Sequence, residues 1–185
     1  MTMTISRDEA AQALGEIEAA RSRFWQAKSY GYAAPFLIIW GLVWMVADLT
    51  LQFEPTWGLA WPVAASLGTV ASLVAGVSLP RPKADRARGW RNLGVTLVVA
   101  GFFVALLNVI PITSGAEVHS IFGLVFGFLY MGAGLWLGWR LFALGAALAV
   151  LTLIGFFAVH EWYALYMGLV SGGALVLGGL WLRKL

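Results

Sequence analysis

The chain has 185 residues, of which 61% are hydrophobic and 11% charged. A water-soluble domain carries about a quarter charged residues and under half apolar ones, so this supply cannot cover a solvated surface, and a cytosolic enzyme, a disordered segment and a nucleic-acid-binding domain are excluded. The absence of cysteine removes disulfide frameworks, thiolate metal sites and cysteine nucleophiles, while the net charge of +3 reads as membrane topology, because Lys and Arg report orientation.

Residues 1–30 open with Ser6-x-x-Glu9, a capping-box pattern. Ala10, Ile17 and Phe24 then repeat at a spacing of seven, with Leu14 between them and Glu9, Glu16 and Arg23 opposite. This predicts an amphipathic helix with a narrow apolar seam, running to about Ser29. Four basic residues, Arg7, Arg21, Arg23 and Lys28, and the lack of an apolar core or small-residue cleavage site set it apart from a signal peptide. It reads as a cytoplasmic helix whose residues 7–29 offer a surface to a cytoplasmic protein partner, with its last turns in the headgroup layer.

Residues 31–185 hold the apolar runs. A helix needs roughly 20 residues to cross the hydrocarbon core, and such runs occur at Tyr32–Leu51, Gly58–Leu79, Leu93–Ile112, Val118–Leu137, Phe142–Val159 and Tyr163–Leu182. Between Val118 and Val159 only Trp139-Arg140 marks a turn. One helix over that stretch would be about 63 Å long, twice the hydrocarbon thickness, so two spans are predicted. The expected fold is an all-α integral membrane protein, a six-helix transmembrane bundle with the N-terminal helix appended.

With both termini in the cytoplasm, all 12 basic residues fall on the inner side, including those of the Pro80–Arg91 loop, Arg140, Arg183 and Lys184. Asp48, Glu54, Glu117, His119, His160 and Glu161 fall on the outer side. This asymmetry predicts a multi-pass protein of a bacterial inner membrane. Trp25, Trp90, Trp136, Trp139 and Trp181 lie near the inner boundary and Trp57, Trp61 and Trp162 near the outer one, as interfacial indoles do. All six prolines lie in loops or in the end turns of the expected spans.

Small residues mark the faces where membrane helices approach. The second span carries Ala60, Ala64, Gly68, Ser72 and Gly76 at every fourth position, the fourth span has Gly123 and Gly127, and the sixth has Gly168 and Gly172. These are the expected helix-packing positions, within one chain or between copies in a homo-oligomer.

Ionisable residues are missing from the span centres, which argues against proton-coupled pumps. Asp48 is the deepest charge, with Asn108 at a similar depth as an expected hydrogen-bond partner. Glu117, His119, His160 and Glu161 at the outer boundary are candidate metal ligands, imidazole and carboxylate being proper donors for zinc or nickel, although i, i+2 and adjacent spacings require two loops to converge. The bland alternative is an acidic, solvated outer face. Trp40, Trp44, Phe102, Phe103 and Phe156 could line an apolar pocket. Nucleotide-binding loops and nucleophile elbows are absent, and no cofactor is expected.

The N-terminal pattern Glu9-x-x-x-Ala13-Leu14-x-x-Ile17-Glu18-x-x-Arg21, followed by Pro35-x-x-x-x-Trp40-Gly41-Leu42, resembles small bacterial polytopic inner-membrane proteins of unassigned function. The resemblance implies the location and transfers no functional residue. Two functions fit: a non-catalytic accessory or sensor-like module coupled to a cytoplasmic partner, or a small oligomeric transporter or channel for a metal ion or small apolar solute. A polar cavity reaching the midplane near Ser171–Gly173 would favour the second.

Overall fold

The computed structural model describes residues 7–79, 98, 101–106, 108–111 and 114–184. With no water in a bilayer core to satisfy N–H and C=O groups, an apolar chain closes its hydrogen bonds within helices, and the described residues contain helices and short turns without a strand. The long helices are α1 (Arg7–Phe53), α2 (Ala60–Ser78), α3 (Gly115–Leu137), α4 (Trp139–Ala158) and α5 (Tyr163–Leu182). All five are long and apolar enough to cross a membrane. Of the expected span Leu93–Ile112, residues 98, 101–106 and 108–109 are helical and the remainder lies outside the described residues, as do the Pro80–Arg91 loop and Ser6 of the expected capping box.

The expected boundary near residues 29–32 is absent, because α1 is one helix of 47 residues. At 1.5 Å per residue it is about 70 Å long, more than twice a hydrocarbon core. Residues 12–25 are exposed all round, and α1 joins the bundle at Gln26–Tyr30. Tyr30 is already 3% exposed, so packing begins before any helix break is needed. Continuity also corrects the reading of the prolines: Pro35 sits inside α1, where it removes the donor to the carbonyl four residues back.

α1 is the central element, packed against α2 on one side and α5 on another, while α3 and α4 pair along their lengths and α4 leans on α5. The core is built by Leu37 and Trp44 of α1, Leu141, Leu144 and Leu148 of α4, and Met167 and Leu175 of α5. Small residues set the approach distances. A Cβ on Gly172 would lie 2.9 Å from the carbonyl oxygen of Gly41, and one on Gly145 would lie 2.5 Å from that of Gly127. Ala60, Ala64 and Gly68 are the buried positions of α2, and Ala64 packs with Val43 and Ala47 of α1. Val63, Leu67, Val70 and Val77 on the rest of α2 are exposed, as befits a lipid-facing surface.

Between α3 and α4 the chain reverses at Gly138, with φ 128°. L side chains avoid that region, and the Tyr30 hydroxyl occupies the place a Cβ would take. α5 relaxes into a π-helix over Met167–Gly172, a local widening often found at functional sites. At the opposite end from Tyr30, Gln52 of α1 accepts from the backbone N–H of Leu165 at 3.2 Å and donates to the Glu161 carbonyl at 3.5 Å. These bonds fasten the end of α1 to the start of α5, next to Asp48.

Candidate functional site

Trp40, Trp44 and Asp48 step along α1 four residues at a time, which keeps them on one face of the helix. At the start of α2, Trp61, Pro62 and Ala65 face them, and α3 supplies Gly115, Val118, His119, Phe122 and Phe126. Together these residues line a half-open cavity of about 480 Å³, within the range of small-molecule sites. Among the described residues its walls are almost wholly apolar, with Asp48 and His119 as the ionisable groups. From Asp48 to Trp40 the cavity follows α1 for about 12 Å, so it reaches from the end of the bundle toward its middle.

Asp48 is fully buried. The indole N–H of Trp61 donates to its Oδ1 at 3.0 Å, and Nδ1 of His119 stands 3.3 Å from the same oxygen. Asp48 Oδ2 and His119 Nδ1 have no hydrogen-bond partner among the described residues. A buried carboxylate oxygen without a donor is costly, so the pattern marks a place where a donor is wanted. On the far side of Asp48, α5 presents Gly168, whose Cβ would fall 3.1 Å from the Asp48 Cβ. That glycine lets α5 pack directly against Asp48.

Aromatic rings hold the imidazole and indole in place. Trp61 lies 5.1 Å from His119 and 6.3 Å from Trp44, the two indoles meeting edge to face at 73°. Behind His119 the ring of Tyr163 stacks at 6.5 Å, and the Tyr163 hydroxyl is hydrogen-bonded to Ser120 Oγ at 2.5 Å. Phe103 stacks on Phe122 with centroids 4.4 Å apart and 4° between planes, tying the third apolar segment to the cavity wall. Trp40 and Trp44 thus line an apolar pocket; Phe102 is exposed, as is Phe156 at the edge of α4.

The four candidate metal ligands go to separate places. Ser114 and Glu117 cap α3 reciprocally, each backbone N–H reaching the other's side-chain oxygen at 3.3 Å. His119 turns inward to Asp48, while His160 and Glu161 are exposed in the turn between α4 and α5. Among the described residues no three His, Asp or Glu side chains gather to hold a metal ion. The expected partner of Asp48 is also different: Asn108 is exposed and its Nδ2 donates to the Val104 carbonyl at 2.8 Å. Sequence reasoning left Trp61 out of the site because it reads as an interfacial indole.

The expected packing residues face neighbouring helices. Gly68 abuts Val43 of α1, Gly76 lies near Phe36 of α1, Gly123 and Gly127 meet Thr152 and Ala149 of α4, and Gly168 and Gly172 meet α1. Ser72 is half-buried and its hydroxyl has no partner among the described residues. In comparisons with known proteins, no family model, no curated protein and no solved structure matches this chain.

Proposed function

We propose that the chain is a non-catalytic multi-pass protein of a bacterial inner membrane, an accessory or sensor-like module. It admits a small, largely apolar ligand into the cavity between α1, α2 and α3, and it passes the state of that cavity along α1 to a cytoplasmic partner. The observation that carries this reading is that one unbroken helix supplies both Trp40, Trp44 and Asp48 to the cavity and the exposed stretch 12–25 outside the bundle. Leu14, Ile17 and Phe24 on that stretch are each more than 60% exposed and give a partner an apolar stripe. The basic residues of this extension, with Arg140, Arg183 and Lys184, support placing both termini on the cytoplasmic side.

The transporter reading draws less support. Near Ser171–Gly173 the hydroxyl of Ser171 is buried 3.4 Å from Met167 Sδ, and Gly172 is pressed against Gly41. That stretch is a closed helix contact instead of a polar path.

The coupling is tested by distance. Because the chain has no native cysteine, spin labels on Ser22→Cys and Arg183→Cys are unique, and pulsed EPR in nanodiscs reads the separation of the extension from the bundle. Filling the cavity with Ala65→Trp is expected to shift the distance distribution. Identical distributions, with helicity retained, overturn the proposal that α1 reports on the cavity.

A further inference from the structure

Resting on the ligand-binding reading above, we infer that the ligand is a lipophilic organic cation. It is a protonated amine on an apolar body, seated with its N–H groups toward Asp48 and its charge among the indoles of Trp40, Trp44 and Trp61.

The chemistry follows from what the cavity holds and what it lacks. Both polar neighbours of Asp48 converge on Oδ1, leaving Oδ2 buried without a donor among the described residues. Among the described residues neither Lys nor Arg lines the cavity. An anionic ligand would meet a carboxylate in an apolar setting, and a neutral hydrocarbon would leave Oδ2 unpartnered. A protonated amine supplies donor and countercharge together, and a buried carboxylate gains most from a partner that does both. The indoles add a second attraction, because the face of a Trp ring is the strongest aromatic partner for a cation, more so where water is excluded. Trp44 and Trp61 meet edge to face at 73°, and both line the cavity beside Asp48. The volume of about 480 Å³ admits a bicyclic aromatic or branched alkyl body along Phe122 and Phe126.

The probes are naphthylethylamine, naphthylethanol and naphthylpropanoate, which share a body and differ in the charge of the head. Binding is measured on the full chain in lipid nanodiscs, with protein-free nanodiscs subtracted for partitioning. The amine is expected to bind at least about tenfold tighter than the alcohol, with the carboxylate weakest. Asp48→Asn is expected to remove most of the amine's advantage, the indole share remaining, and to leave the alcohol unchanged. Equal affinity for all three, or preference for the carboxylate, overturns the cation assignment while the cavity stands as a ligand site. An amine preference undiminished in a folded Asp48→Asn variant overturns the seat at Asp48. Should that variant not fold, the ranking of the three probes on the native chain decides the assignment. No saturable binding of any probe, with Ala65→Trp indistinguishable from the native chain, overturns the ligand-binding reading itself.

Discussion

Trp61 donates its indole N–H to Asp48 Oδ1 across a turn that separates them by 13 residues, so the first side-chain bond made by α2 reaches back to a carboxylate buried near the end of α1. The bond closes the Asp48 end of the α1–α2 hairpin. Hydrogen bonds to charged groups contribute more than neutral ones, and orphaning a buried acceptor adds its desolvation. Trp61→Phe keeps an aromatic ring and removes the donor. It is expected to destabilise the protein by about 1–3 kcal/mol, read as a lowered midpoint in thermal or denaturant unfolding in detergent. In an Asp48→Ala background, which removes the acceptor, the same change should lose much of its effect, and additive effects would show that the bond contributes nothing.

The reversal at Gly138 carries two separate demands, a backbone region that side chains avoid and a space already occupied by the Tyr30 hydroxyl. Gly138→Ala is expected to destabilise by about 1–3 kcal/mol from backbone strain alone, with the collision added. Tyr30→Phe in the same chain should restore only the steric part. Comparing the unfolding midpoints of both single variants and the double variant separates the two demands, and full rescue would mean that the backbone is unstrained.

Glycines of the helix seams should differ in tolerance according to what each faces. A Cβ at Gly145 runs into backbone on the neighbouring helix, with the Gly127 oxygen and the Met131 nitrogen both at 2.5 Å; at Gly68 it meets the Val43 side chain at 2.5 Å, and at Gly76 it meets the Phe36 ring edge at 3.8 Å. The expected order of destabilisation by alanine is Gly145, then Gly68, then Gly76, because backbone cannot turn aside and a side chain can. Overpacking at the first should reach about 1–3 kcal/mol, and thermal unfolding of the three variants checks the order.

Much of the helix architecture is legible because lipid imposes it: runs of apolar residues of the needed length can only be helices, and small residues at every fourth position can only mark one face. The reversal within Val118–Val159 follows from length alone, although Gly138 and not Trp139-Arg140 makes it. α1 was harder to read. A capping pattern, a polar stretch and a proline look like an end and a fresh start, yet the helix runs on through Ser29 and, with one bond missing, past Pro35, where the bundle already packs on Tyr30. The site was partly visible. Trp40, Trp44 and Asp48 share a spacing of four and are singled out by chemistry, whereas Trp61 and His119 reach Asp48 from other helices, and no local periodicity encodes a contact between residues 13 or 71 positions apart. Glu117 misleads for the opposite reason: Ser114-x-x-Glu117 is a capping box, a signal present in the letters and passed over beside a histidine.

The unbroken length of α1 has a geometric consequence for scale. Arg7 stands about 29 Å along the axis beyond Gln26, where the bundle's hold on the helix begins. A rod held that way magnifies angles into distances: a tilt of about 10° where the hold begins carries the free tip sideways by about 5 Å, roughly the rise of one helical turn. Rearrangements too small to notice around a single carboxylate therefore become displacements large enough for another macromolecule to register.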